Sequence, residues 1–348
     1  MKEHFNIIQP DDWHVHLREG DMLEEITKYS SRINKRCIAM PNTKIPITTY
    51  NQAINYKKKI IENSLVKNFE PLIPCYLNEN LEVDNFRYAL KNNHFIGGKL
   101  YPSNVTTNSK DGINDIRKIF NIFEIIEEED KTLLIHAEKN SKDIDLFDRE
   151  KYFIDDELTI IRKKFPKLKI VLEHISTSYG IDFVETNNNM AGTITPHHML
   201  ITKKDVFFDE SIDPHLFCMP VVKNEKDLIS LRKAACQNNT KFFLGTDSAP
   251  HQFDLKYPSI TTKPGIFSSI CSLELYATIF EEENAIDQLE IFSSINGPKF
   301  YNLPVNNNKI LLKKEEWIVP EFIEKNNIKV KNFFGGKKIN WKAENLKV

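Results

Sequence analysis

The sequence predicts an α/β protein, a (β/α)8 TIM barrel with a short C-terminal extension. Eight short β-rich runs recur at intervals of roughly 25 to 40 residues, with helical patterns between them. Eight is also the number of parallel βα units that closes a barrel. The 348 residues exceed the soft prior of about 150 per domain, yet one closed α/β barrel commonly runs past ~250.

The strand candidates are 13–17, 37–40, 71–77, 96–101, 132–137, 169–174, 192–196 and 241–245. Between the first two, Met22, Ile26, Tyr29 and Ile33 fall on one helical face. Ile116, Ile119, Phe123 and Ile126 repeat the pattern before the fifth strand, and Leu228, Leu231 and Ala235 before the eighth. Two helices are expected at 268–282 and 285–294, then a tail of short extended pieces around the Gly335–Gly336 turn. No repeat, low-complexity block or linker divides the chain. Residues 1–348 therefore read as a single domain, with the barrel at about 10–304 and the tail at 305–348.

Lys plus Arg total 47 and Asp plus Glu 49, a net charge of −2. That balance offers no whole-chain attraction to nucleic acid or anionic lipid. An apolar fraction of 41% excludes global disorder. No run approaches the ~20 apolar residues of a membrane helix, and the first residues resemble neither a signal nor a transit peptide. A cytoplasmic protein is expected. Cys37, Cys75, Cys218, Cys236 and Cys271 are scattered, odd in number and without a CxxC, so they read as plain thiols.

His14 and His16 form an H-x-H on a strand, where residues two apart point the same way. Lys99 ends the fourth strand, and a lysine aimed into a barrel is costly unless paired or chemically altered. His136 and His174 each end an apolar strand, and Asp247 lies just past the eighth. Each of these alone reads as an ordinary core or rim residue. Together they collect on the face where barrel enzymes carry their active sites. Imidazole with carboxylate suits zinc or a similar divalent ion. Arg18 continues the alternation of His14 and His16 and would face the same pocket, where a guanidinium suits a carboxylate. His4 and His94 read as superficial; His197, His198 and His215 read as structural neighbours of the rim.

The segments DDWHVHLREG, MPNTKIPITT, GGKLYPSNVTTNS, IHAE, FDRE, EHIST, TITPHH, HLFCMPVVK and FLGTDSAPH resemble the dihydroorotases of the shorter, stand-alone homodimeric type, within the metal-dependent amidohydrolase superfamily. The resemblance runs in order from about residue 10 to about residue 304. It implies reversible cyclisation of N-carbamoyl-L-aspartate to (S)-dihydroorotate, a step of pyrimidine biosynthesis, by a homodimer. It implies two zinc ions per subunit. His14, His16 and Asp247 would hold one and His136 and His174 the other, with Lys99 carboxylated by carbon dioxide and bridging both beside a hydroxide. A carbamate there turns an expensive buried cation into an anion between two dications. Asp247 would carry the catalytic proton.

The resemblance also brings Asn42 and His251 to the substrate carboxylate beside Arg18, with His16 and His136 touching substrate. It brings the backbone of Met219 to the polar ring edge, Ser269 to a backbone contact, and Thr106 and Thr107 to the tip of an active-site loop. The chain departs from the pattern between Asp247 and the following helix. There it lacks a cysteine-rich run and carries Ser268, Ser269 and Ile270 where relatives have Asn-Ala-Pro. His197 stands where Gln is common, and Met219 where Leu is common. A hydantoinase-like cyclic amidase is the nearest alternative, and Arg18, Asn42 and His251 separate the two because an uncharged ring needs no carboxylate site. A silent partner subunit would have lost ligands, and all six are retained.

Overall fold

The computed structural model describes residues 3–209, 211–257 and 262–346. In chain order its strands are β1 (His4–Ile8), β2 (Asp11–Val15), β3 (Arg36–Ala39), β4 (Glu70–Leu72), β5 (Cys75–Tyr76), β6 (Gly97–Leu100), β7 (Thr132–Ile135), β8 (Lys169–Leu172) and β9 (Met190–Ile194). A two-residue hairpin, β10 (Phe207–Phe208) and β11 (Ser211–Ile212), precedes β12 (Phe242–Leu244). The tail holds β13 (Lys309–Ile318), β14 (Phe322–Lys325), β15 (Ile328–Lys331) and β16 (Lys338–Asn345).

All eight predicted runs form parallel strands. Most are buried along their whole length, as continuous apolar runs covered on both faces should be. One sheet runs β2-β3-β4 and the other β5-β6-β7-β8-β9-β12. The third predicted strand is split into β4 and β5, so it belongs to both sheets. The ring closes where Val15 bridges Ser248 in parallel. There Asp247 N donates to His14 O at 2.8 Å and His16 N to Ser248 O at 3.0 Å.

The barrel floor is packed. Trp13, Ile38, Met40, Leu134, Val171, Ala191 and Phe243 meet there with Tyr301, which stacks on Trp13 at 4.6 Å. A register shift between Asp12 and Val15 lets β2 send Trp13 to this floor and still turn His14 toward the mouth. Helices Gly20–Ile33 and Glu225–Cys236 form as expected. The isoleucine pattern at 116–126 becomes a 3-10 turn leading into the helix Phe120–Glu128. The helix expected at 268–282 begins at Ser272, because the amides of Ser268 and Ser269 are engaged by Ser248 Oγ. Short 3-10 and π turns, Ile286–Gln288 and Ile291–Ile295, stand where the second was expected.

The tail is more regular than short extended pieces. β13 and β16 pair antiparallel, and β1, which the sequence patterns did not reveal, pairs with β13. Phe5 packs edge-on against Trp341 at 5.4 Å. The buried Glu274 carboxylate accepts from Arg32 at 2.8 Å and from the Ala343 amide at 3.2 Å, tying barrel to tail. All five cysteines are buried and unpaired. Among the described residues no helix is long and apolar enough to cross a membrane.

Candidate metal and substrate site

The polar residues singled out above gather at the C-terminal mouth of the barrel. Lys99 lies inside β6, beside Leu134 of β7. His136 follows β7 directly, His174 lies two residues past β8, and Asp247 three past β12. The predicted runs overshoot the observed strand ends because the chain leaves the ladder to aim these side chains inward. His174 (φ +39°), Asp247 (φ +43°) and Arg18 (φ +61°) all adopt left-handed backbone. Such strain costs about 1–2 kcal/mol for a non-glycine residue, so the surroundings must enforce it. Arg18 does reach the pocket, but not by strand alternation: β2 stops at Val15, and a left-handed turn redirects the side chain.

His16 Nε2 lies 3.1 Å from Asp247 Oδ1. His14 Nε2 lies 3.3 Å from the same oxygen, without an aligned hydrogen bond. These three side chains converge closely enough to share one ion. His174 links the two halves of the cluster, with ring centroids 5.0 Å from His14 and 4.7 Å from His136. Lys99 is fully buried beneath them, its Nζ without a hydrogen-bond partner and 4.9 Å from the Tyr101 ring. His14 Nε2 and His174 Nδ1 are likewise buried and unpartnered. A native core rarely leaves so many adjacent polar atoms unsatisfied, and a metal centre accounts for them.

Charge states agree with that reading for three of the four histidines; on His14 burial acts downward, but the Glu173 carboxylate and the contact with Asp247 outweigh it and raise the pKa. Burial pushes the pKa of His16 down to about 3, His136 down and His174 well down, which keeps these imidazoles neutral, the form that binds metal. Burial pulls Lys99 down to about 8 against the opposing field of Glu173 and Asp247. For Asp247 burial acts upward, but the contacts with His14 and His16 outweigh it and hold the carboxyl well below its ordinary range.

Two functional carboxylates escaped the sequence reading. Glu173 Oε2 accepts from His14 Nδ1 at 2.7 Å and from Thr193 Oγ1 at 2.7 Å. Glu138 Oε2 lies 2.7 Å from His136 Nε2. Each fixes a ring tautomer and leaves the other nitrogen for an ion. The available signal was an acidic residue beside each histidine motif, in EHIS and HAE.

Above the cluster lies a cavity of about 330 Å³, part of it open to solvent. Its lining includes His16, Arg18, Asn42, His136, Met219 and Asp247, with Thr106 and Thr107 over the top. Asn42 Nδ2 donates to Thr107 O at 2.9 Å, and Asn108 Nδ2 donates back to Asn42 O at 3.0 Å, so the loop is latched to the barrel rim. Thr107 Oγ1 and Asn42 Oδ1 are buried without partners. Arg18 Nε donates to Pro250 O at 2.9 Å. His251 Nε2 lies 3.1 Å from Arg18 Nη2 and 2.9 Å from Pro264 O, and its tautomer decides which it bonds. Among the described residues Arg18 pairs with no carboxylate, and burial lowers its pKa to about 10.

The structure does not bring Ser269 to the cavity. Its amide donates to Ser248 Oγ at 3.1 Å, its hydroxyl meets Ser30, and Pro264 and Gly265 form that stretch of wall instead. Residues 258–261 of the divergent segment lie outside the described residues. His197, His198 and Cys218 form a second convergent group, but both His198 nitrogens are engaged, by Thr195 Oγ1 at 2.7 Å and Pro220 O at 3.0 Å.

The chain belongs to the amidohydrolase family, whose sequence profile matches residues 7–337. It is 42% identical over 342 residues to the dihydroorotase of Buchnera aphidicola subsp. Schizaphis graminum (strain Sg), covering 97% of each chain. It is 43% identical over 336 residues to the dihydroorotase of Aliivibrio fischeri (strain MJ11), covering 96% of this chain and 98% of that one. Among solved structures it is similar to dihydroorotase from Saccharomyces cerevisiae in complex with 5-fluoroorotic acid, with a TM-score of 0.92, 31% identity and 99% of both chains covered. An L-hydantoinase from Arthrobacter aurescens shares the fold at a TM-score of 0.80 and 15% identity, covering 98% of this chain and 83% of that one.

Proposed function

We propose that this chain is a dihydroorotase, catalysing the reversible cyclisation of N-carbamoyl-L-aspartate to (S)-dihydroorotate with release of water. The observation that carries the reading is the Arg18 guanidinium, half-buried, without a carboxylate partner, beside a cavity whose floor is the cluster of His16, His136, His174 and Asp247. A cation left uncompensated in such a place suits an anionic substrate. The dihydroorotase relatives, matched over nearly their whole length, support the same substrate.

The residue roles are those the resemblance implies, and the placement of these side chains around the cavity supports them. Arg18, with Asn42 and His251, grips the carboxylate that takes no part in ring closure. The Met219 backbone meets the polar edge of the ring. In cyclisation the ureido nitrogen attacks the side-chain carboxyl carbon. A C–N bond forms, an oxygen leaves as water, and near neutral pH one proton is consumed. Asp247 takes the nitrogen's proton in that direction and returns it in the other. Thr106 and Thr107 close the cavity and remove water from the open-chain dianion.

The donor set fits two divalent ions: His14, His16 and Asp247 for one, and His136 and His174 for the other. Lys99, if carboxylated by carbon dioxide, would supply the further anionic donor that both ions need. The unpartnered Nζ, Nε2 and Nδ1 atoms support this arrangement. Bound zinc supplies Lewis acidity and brings the pKa of water down toward about 7. A homodimer rests on the resemblance alone. A cytoplasmic location is supported by five cysteines that remain unpaired.

The test is an assay of carbamoyl-aspartate cyclisation and dihydroorotate hydrolysis by purified protein, with metal counted on the same sample. Turnover in both directions with about two zinc ions per subunit is expected. Hydrolysis of hydantoin or dihydrouracil in preference to dihydroorotate would transfer the chain to the cyclic-amidase reading.

A further inference from the structure

Lys256 ends the short helix Phe253–Lys256 beyond β12. It is 3% exposed, so its ammonium sits out of water. Nζ donates to three main-chain carbonyls: Phe217 O at 3.1 Å, Lys263 O at 2.9 Å and Gly265 O at 2.6 Å. Those three bonds use all three ammonium hydrogens. None of the ion pairs among the described residues involves it. Burial in this setting pushes its pKa down to about 7, and the Arg18 cation acts the same way.

A buried cation without a counter-ion is expensive to keep. The three carbonyls show what it holds. Phe217 lies two residues before Met219, and Lys263 and Gly265 flank Pro264; Met219, Pro264 and Gly265 all line the cavity. The two segments also meet directly, through Gly265 N to Phe217 O at 2.9 Å. Gly265 has φ +144°, and a Cβ there would lie 2.4 Å from Ala249 O, so the backbone is pressed against the rim with no room for a side chain. Pro264 O in turn lies 2.9 Å from His251 Nε2, which is 3.1 Å from Arg18.

The geometry points to Lys256 as a positioning residue for substrate binding: its ammonium staples the 217–219 and 263–265 segments together and so sets the wall carrying Met219, Pro264 and His251. It touches no substrate and acts through that wall. This inference rests on the dihydroorotase reading and names a residue to which the resemblance assigned no role.

The experiment compares metal-replete wild type, Lys256→Met and Lys256→Arg in both reaction directions, with zinc content and a denaturation midpoint for each. Met matches the length of the lysine stem but donates nothing. Lys256→Met is expected to raise KM for carbamoyl-aspartate about tenfold while kcat stays within threefold and zinc content is unchanged. Lys256→Arg keeps a cation and donors and is expected to recover part of that loss. A general loosening would instead lower kcat, zinc content and stability together. If Lys256→Met does not fold, Lys256→Arg and Lys256→Gln decide, since glutamine is shorter, uncharged and has only two amide hydrogens for the three carbonyls, and should raise KM in the same way at unchanged zinc content. KM within twofold of wild type in the folded variants, or a fall in kcat at unchanged KM, overturns the proposal. Wild type without cyclase activity overturns the functional reading, and this inference with it.

Discussion

Replacing Arg18 separates carboxylate recognition from the strain stored beside it. Its guanidinium makes one bond to the protein backbone, at Pro250 O, and its own carbonyl accepts from Tyr56 Oη at 3.0 Å, which fixes the left-handed turn. A hydrogen bond from a charged donor contributes about 1.5–3 kcal/mol, and each 1.4 kcal/mol is about tenfold in binding. Arg18→Met should therefore raise KM for both substrates by roughly 10- to 150-fold. Arg18→Gly should raise KM equally, because the same guanidinium is missing. The two variants differ in stability. Both lose the Pro250 bond, but glycine relieves the φ +61° strain of about 1–2 kcal/mol and returns part of it through its freer unfolded chain. Arg18→Gly should thus be more stable than Arg18→Met by about 1 kcal/mol. Steady-state kinetics in both directions and urea denaturation of both variants make the comparison. KM within twofold of wild type in both would refute the carboxylate grip. Recovery of KM in the glycine variant alone would show that backbone strain was responsible.

Lys99→Ala should lose both bound metals and nearly all turnover, with partial rescue by short carboxylic acids; normal zinc content and rate would refute the bridging role. Thr106→Ala combined with Thr107→Ala should lower kcat strongly while zinc content and thermal stability stay near wild type, since neither hydroxyl hydrogen-bonds to the described protein and so neither holds the fold; unchanged kinetics would leave 101–109 a mere connection. Glu138→Gln should weaken metal affinity by about 10- to 100-fold through loss of the His136 orientation, measured by competition with a chelator, and an unchanged affinity would show that His136 needs no such partner.

The barrel was legible in the sequence because its strands are buried on both faces. Such strands must be short continuous apolar runs, and eight of them spaced by helices leave few alternatives. The candidate ligands were legible for a related reason: His136, His174 and Asp247 each interrupt or follow an apolar run, where a polar residue has no packing purpose. β1 was not legible, because HFNII is short and its partner lies about 300 residues away in β13, a pairing set by tertiary contact.

Other features depended on three-dimensional placement. The sequence by itself determined which residue types collect at the barrel mouth, because strand direction and the period of two are local properties. Only the tertiary structure decided how they meet. Arg18 reaches the cavity through a left-handed turn, since β2 ends at Val15 before alternation can carry it there. Ser269 was expected at the substrate and is instead spent on Ser248 and Ser30, while Pro264 and Gly265 take its stretch of wall. Glu173 and Glu138 gain their roles from rings that fold against them, and Lys256 from three carbonyls in two distant segments. The Glu173–His14 bond joins groups 159 residues apart and Lys256 ties two separate segments, so no periodicity announces them, whereas Glu138 lies only two residues from His136.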